Sequence, residues 1–556
     1  MERQQIRTPG SPVTPPGGSS GPGPAEGRPR ARRTGARRVL RAAVAVAGAL
    51  VLLAGAPVGG SASALAPGHR SASALAPGDR SAGPPQFVPG ACPRTPRPVP
   101  ALAGARCGFL VVSEDRGRPG GPTIRLAVAI IPAASSSPAP DPVVHLTGGP
   151  GSDAIDDAQF LVDAGLNRDR DLIVMAQRGT LHSVPNLACP EVDRFYARAV
   201  GLRYDAEPTE ELLVQAMGEC RDRLAAGGVD LSAYNTLENA ADFADLRAAL
   251  GIARWNVYGY SYGTDLALTY LREHPEGIRT VTIDSVVPPQ VVSLPWTWSS
   301  AGEGINAILR ACRDQPLCDD RYPHLGRTLA RQVRKLEAEP LTLRASPPGG
   351  GPEVEVVLDG GALVNLLVGN AVPSADVPAA LDELAHGDPH RFAAARAAGT
   401  TPAVGEFAYG LTESVACGEW VPGSSAEDLL AAGRRAFPGF PDQVLAQAPQ
   451  LPYQSEVCRT WDVPDLTNVQ RVAARSAVPT LVLSGTFDAK TGARWGRFAA
   501  RTLPEATVVR IPGVGHWVTP QSPCAQRVLA SFLADPAAVD TGCVADLAPK
   551  PFTITP

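Results

Sequence analysis

The chain is missing several of the patterns by which a sequence is placed quickly. Glycine and proline number 56 each in 556 residues, yet no Gly-X-Y period runs through them, which excludes a collagen-like fibre. Positive charge is not in excess, because 51 basic residues face 55 acidic ones, so the body of the protein offers no field to hold a nucleic acid. No Cys-x-x-Cys occurs, and the tightest cysteine pair is Cys312 with Cys318, which leaves zinc without its usual ligand spacing. His386 and His390 stand four apart, but Gly387 and Pro389 break the helix that would bring them to one face, so they make no metal pair. Neither G-x-G-x-x-G nor the Gly-Lys-Ser/Thr of a phosphate loop is present, and the glycines at 148–151 therefore serve something other than a nucleotide. No metal and no cofactor are expected.

What is there is globular: 44% hydrophobic and 19% charged residues are enough apolar mass for a large core. The basic residues are unevenly placed, since Arg28, Arg30, Arg32, Arg33, Arg37, Arg38 and Arg41 crowd a stretch that runs straight into the apolar segment 42–58 and then into Ser61-Ala62-Ser63-Ala64. A basic head, an apolar run of this length and small residues at −3 and −1 predict a signal peptide over 1–64, with Sec and Tat export both open and an uncleaved anchor helix as the competing reading. No cysteine lies near that site to take a lipid, so a secreted protein with no membrane anchor after cleavage is expected. Ten cysteines agree with an oxidising compartment. Pairing each with its nearest neighbour gives Cys92–Cys107, Cys189–Cys220, Cys312–Cys318, Cys417–Cys458 and Cys524–Cys543, with none left over.

Residues 61–70 and 71–80 are a tandem repeat, SASALAPGHR then SASALAPGDR, and 65–90 reads as a flexible linker. Beyond it, short β-branched runs alternate with helical stretches. Strands are predicted at 109–112, 124–131, 143–146, 172–175, 255–258, 281–284, 481–484 and 508–511, and helices at 237–250 and 264–273. Alternating β and α units predict a mostly parallel sheet with helices on both faces. The β pattern lapses between about 288 and 477, which reads as a helical cap inserted between a core segment at 91–287 and its completion at 478–556.

Gly259-Tyr260-Ser261-Tyr262-Gly263 follows an apolar strand and precedes a helix, the context of a nucleophile elbow, where tight backbone packing needs flanking glycines. A serine hydroxyl needs a base and an orienting carboxylate, and this fold class supplies them in the order Ser, Asp, His. Asp488 follows the strand at 481–484 and His516 the strand at 508–511. The oxyanion requires two backbone donors. The amide of Tyr262, next after the nucleophile, is one, and Gly149 in Thr147-Gly148-Gly149-Pro150-Gly151 is the other, because Pro150 has no N–H.

With these motifs the chain resembles the α/β-hydrolase serine peptidases related to prolyl aminopeptidase, and most closely their secreted tripeptidyl-aminopeptidase-like branch. The similar stretches are HLTGGPG at 145–151, AQRGT at 176–180, NVYGYSYGTDLAL at 256–268, PTLVLSGTFDAKTG at 479–492 and IPGVGHW at 511–517, with CRDQPLCDDRYP at 312–323 and SVACGEW at 414–420 resembling the branch's cap. The resemblance implies an α/β-hydrolase fold with a cap, a Ser261–His516–Asp488 triad, and release of residues or short peptides from free N-termini. It also implies that a cap acid holds the substrate ammonium: Glu419 matches the branch's Cys-x-Glu, and Glu413 is the second possibility. Thr147 stands where the family has His, Ala176 where it has Asp, and Asp488-Ala489-Lys490-Thr491-Gly492 where it has Asp-Pro-x-Thr-Pro. A monomer acting on a short peptide or a small acyl substrate is expected. An esterase on the same triad is the alternative within enzymes, and a non-catalytic binding protein is the alternative outside them.

Overall fold

A computed structural model of the chain describes residues 84–291, 294–400 and 405–555; the signal-peptide reading of 1–64 lies outside them. Among the described residues ten strands form one sheet. They are β1 (Gln86–Gly90), β2 (Arg106–Ser113), β3 (Thr123–Ile131), β4 (Val143–Leu146), β5 (Leu172–Met175), β6 (Ser183–Val184), β7 (Trp255–Tyr260), β8 (Ile278–Asp284), and two more that follow the cap. The cap contributes a separate antiparallel pair, β9 (Leu341–Ala345) and β10 (Val354–Leu358), before β11 (Thr480–Gly485) and β12 (Ala506–Ile511) complete the main sheet. The order is β1-β2-β3-β5-β4-β7-β8-β11-β12, with β6 on β3. Strands β1, β2, β3 and β5 pair antiparallel in turn, while β5, β4, β7, β8, β11 and β12 are parallel.

Strands covered on both faces have no reason to alternate polar with apolar, and β4, β5 and β11 are buried at every residue. Their side chains nevertheless divide by the two-residue period of the pleat. Ile173 and Met175 pack with the helices Glu207–Ala226, Thr236–Ala249 and Tyr262–Glu273, while Leu172 and Val174 pack with Ala154–Asp163 and Pro523–Ala534. This is the α/β-hydrolase fold. Asn235 starts Thr236–Ala249 by accepting from the Glu238 amide at 2.9 Å, a cap of the kind that stabilises a helix by about 1 kcal/mol.

Between β8 and β11 lie mostly helices, with their own core around Trp298, Leu329, Leu363 and Leu381. Two parts of the chain differ from the sequence-based expectation. The 65–90 stretch is not linker to its end, because Gln86–Gly90 pairs along β2 from Gln86 with Val111 to Gly90 with Cys107, so backbone donors satisfied by an edge strand replace a free coil. The cap is not purely helical, because Thr342, Arg344, Glu353 and Glu355 lie on a hairpin across the turn at Gly349–Gly351. The end of the chain also leaves the core: Phe552 packs in the cap's core, the Thr553 amide donates to Ala375 O at 2.9 Å, and the Thr555 amide donates to Tyr322 Oη at 2.8 Å. All five expected disulfides are present, and among the described residues no cysteine is free. No helix among the described residues is long and apolar enough to cross a membrane.

Candidate active site

Strand β7 ends at Tyr260 and the next helix begins at Tyr262, so Ser261 makes the whole turn, with φ +54°. A non-glycine residue in this left-handed region is strained, and it persists only where neighbours hold it. Here they do: the Ser261 amide donates to Asp284 O at 3.0 Å, and the Thr264 amide returns to Ser261 O at 2.9 Å. The flanking glycines are there for space, since a Cβ on Gly259 would stand 2.2 Å from Gly263 O and one on Gly263 would stand 2.0 Å from Leu146 O. Tyr262, at the first helical position, has one of the amides that a helix leaves without an internal partner.

The loop after β4 closes on this turn so tightly that a Cβ on Gly148 would meet Ser261 Cβ at 2.8 Å. Gly149 has φ +109°, open to glycine alone at little cost. The loop is tied down on both sides. Thr147 Oγ1 donates to Asp157, and Gln177 Nε2 donates to Thr147 O at 3.0 Å. From the cap, Thr412 Oγ1 donates to Pro150 O at 2.6 Å, and the Ala408 amide donates to Gly151 O at 3.0 Å. The neighbouring loop at 176–183 is fixed by Arg178, wholly buried, whose guanidinium grips both Asp242 oxygens at 2.8 and 2.9 Å.

Parallel pairing of β11 with β12, from Thr480 with Ala506 to Gly485 with Ile511, sets the loops after them side by side. His516 Nδ1 lies 2.9 Å from Asp488 Oδ2. Asp488 is buried, and its oxygens are fully engaged: Oδ1 accepts from the amides of Lys490 and Thr491, both at 2.9 Å, and Oδ2 accepts from Thr491 Oγ1 at 2.6 Å. Burial alone would raise the Asp488 carboxyl, but His516 and the Thr491 donors outweigh it and hold the group below the usual carboxylate range. Asp284, at the end of β8, is a second buried acid in the neighbourhood. Its oxygens go to the amides of Val518 and Thr519 at 2.9 and 2.8 Å and to Tyr258 Oη at 3.0 Å, so it shapes the loop behind His516 while Asp488 is the acid that meets the imidazole. The sequence marked Asp284 only as a strand end, and Thr491 only as part of the motif around Asp488, with no role of its own.

Trp517, beside His516, stacks on Tyr260, beside Ser261, with ring centroids 4.1 Å apart. Among the described residues no hydrogen bond joins the Ser261 hydroxyl to His516; such bonds are often long in a free enzyme and tighten around a substrate. Ser261, Tyr262 and Gly149 line one cavity of about 170 Å³ with Val287, Leu294, Thr412, Trp420, Lys490 and Trp495 among its walls.

Neither Glu419 nor Glu413 is among the residues that line it. Both oxygens of Glu419 are taken by Thr236, from the amide at 2.7 Å and from Oγ1 at 2.6 Å, and Thr236 Oγ1 is 3.0 Å from Tyr262 Oη. Burial, and then the nearby Asp265, push Glu419 up to about 8. Glu413 accepts from Gln454 Nε2, and burial pushes it up to about 7. Glu419 thus spends both oxygens on Thr236, next to Tyr262 of the elbow, and Glu413 spends one on Gln454, and neither stands in the cavity wall where the resemblance would put an ammonium anchor.

Residues 445–544, which run from the cap through Asp488 and His516, match the family described as TAP-like protein. The chain is 31% identical over 201 residues to serine protease Hip1 of Mycobacterium tuberculosis, across 34% of this chain and 36% of that one. It is 28% identical over 262 residues to a tripeptidyl aminopeptidase of Streptomyces coelicolor, across 44% and 47%. That stretch is similar to the TAP-like family, and the chain matches less than half the length of either relative.

Proposed function

We propose that the protein is an exported serine hydrolase of short peptides, of the type that releases residues or tripeptides from free N-termini, working through an acyl-enzyme on Ser261. The observation that carries this reading is the 2.9 Å contact of His516 Nδ1 with a buried, fully bonded Asp488, in loops that adjoin a strained Ser261. Asp488 holds the imidazole so that Nε2 is free to take the Ser261 proton. Oγ then attacks the carbonyl carbon, and the amides of Tyr262 and Gly149 receive the developing oxyanion. Collapse of the tetrahedral adduct sends the proton from His516 to the leaving amine, and water repeats the sequence to release the acid. Five disulfides support export.

The peptide substrate rests on the names of the relatives, tripeptidyl aminopeptidase and serine protease. One observation favours a second reading, an esterase or other small acyl hydrolase: among the described residues no carboxylate lines the cavity around Ser261. Free and N-blocked prolyl and tripeptidyl amides, compared with short acyl esters, separate the two. Ser261→Ala is expected to fold and to lose turnover by roughly 10⁴- to 10⁶-fold, with fluorophosphonate labelling confined to the wild type. Labelling that persists in Ser261→Ala would move the nucleophile elsewhere.

A further inference from the structure

The cavity that holds Ser261 also holds an unmatched cation. Lys490 lies two residues after Asp488, and its backbone amide is bonded to Asp488 Oδ1 at 2.9 Å, so the main chain from which its side chain springs is as fixed as the triad loop itself. The side chain is half-buried and lines the cavity with Ser261, Tyr262 and Gly149. Among the described residues its ammonium makes no hydrogen bond and no ion pair, and it is not one of the polar atoms sealed from solvent, so it stays within reach of an incoming molecule. The nearest acid has nothing left to give it, because Asp488 spends Oδ1 on two backbone amides and Oδ2 on Thr491 and His516. Elsewhere cations of this protein find partners: Arg178 has Asp242, and Arg116 has Asp242, Glu238 and Asp245.

An ammonium among apolar walls such as Val287, Leu294, Leu451 and Trp495 is costly unless an anion meets it. Burial lowers the Lys490 ammonium from its ordinary value, and Asp488 offsets only part of that, which is the signature of a charge still short of its partner. Among the described residues the cavity lining carries hydroxyls and Gln450 but no acid, so the partner has to arrive with the substrate.

We infer that Lys490 is a specificity residue that receives a carboxylate carried by the substrate close to the bond cleaved. This rests on Ser261 being the nucleophile and deepens that reading, since it replaces an unplaced ammonium site with a placed carboxylate site. A lysine suits the task because it is a compact point charge with three rotatable donors. The carboxylate has two possible sources, the acyl group or the free C-terminus of a short leaving peptide, and both give the same chemistry at Nζ.

The test uses the full chain and measures kcat/KM for matched pairs in both arms. On the acyl side the pair is p-nitrophenyl succinate against its methyl ester; on the leaving side it is short alanine peptides with free against amidated C-termini. Wild type is expected to favour the carboxylate at least tenfold in one arm, Lys490→Arg to keep most of that ratio, and Lys490→Met to bring it close to one. A ratio below threefold in both arms, or one that survives Lys490→Met, overturns the assignment. Fluorophosphonate labelling of Ser261 in the same samples keeps the two readings apart. Labelling without a carboxylate preference removes Lys490 alone, and absence of labelling in wild type removes the nucleophile and this inference with it.

Discussion

Thr491 stands outside the proposed triad and touches two of its members. Its hydroxyl donates to Asp488 Oδ2 at 2.6 Å, and the same oxygen lies 3.2 Å from His516 Nδ1, so it steers the carboxylate toward the imidazole and takes up a lone pair that burial denies to water. Thr491→Val keeps the shape and removes the donor. The expected result is a fall in kcat of about 10- to 100-fold, of the size that one charge-assisted hydrogen bond commands, with KM little changed; a KM effect of the same size would make Thr491 a binding group instead. At this scale the sequence was legible wherever a side chain's place follows from its own strand and turn, as for Ser261 after β7, Asp488 after β11 and His516 after β12. It was silent where the role is decided by a partner from elsewhere. The Cys-x-Glu match brought Glu419 near the site, but its orientation is set by Thr236, 183 residues away, and no local pattern records that.

At the scale of elements, the interior strands announced themselves as short apolar runs because both faces are covered, and the eight expected strands all exist with ends shifted by a few residues. β1 did not, since Gln86–Gly90 is an edge strand with almost every residue exposed, held by backbone pairing that leaves no apolar trace. The cap hairpin was hidden for a similar reason: Leu341–Ala345 is largely exposed. The helical turn Ala416–Trp420, which carries Glu419 and the cavity residue Trp420, is clamped to the helix Gln454–Trp461 by Cys417–Cys458, closing 41 residues of chain. Replacing both cysteines by serine is expected to lower the free energy of unfolding by about 3 to 4 kcal/mol, read from urea denaturation. A loss below about 1 kcal/mol would mean that packing alone holds the turn.

For the whole molecule, the buried acids decide how stability varies with pH. Glu413 is raised by burial from 4.5 to about 7, so the folded protein keeps a proton that the unfolded chain gives up. Its contribution is complete below pH 4.5 and is lost as pH climbs to about 7, with a slope of about 1.4 kcal/mol per pH unit. Asp265 and Glu419, pushed up to about 7 and about 8 by burial first of all, act in the same direction. Asp488, held low, acts in the other: its contribution is present above the ordinary aspartate range and is lost as pH falls through its folded value. Glu413→Gln should therefore gain on wild type by about 3 kcal/mol between pH 4.5 and 7, measured as the difference in urea unfolding free energies across that window. A constant difference would show that Glu413 ionises in the folded state as it does in the unfolded one.

The attachment of the chain's end to the cap has a mechanical consequence. The cap leaves the sheet after β8 and returns at β11, and the stretch beyond β12 then crosses over to seat Phe552 in the cap's core and to bond Thr553 and Thr555 to Ala375 and Tyr322. A lid joined to its base at one edge swings like a door. This one is also tied by a strap drawn from beyond β12, so lifting it would mean unbuttoning Phe552, Thr553 and Thr555 first.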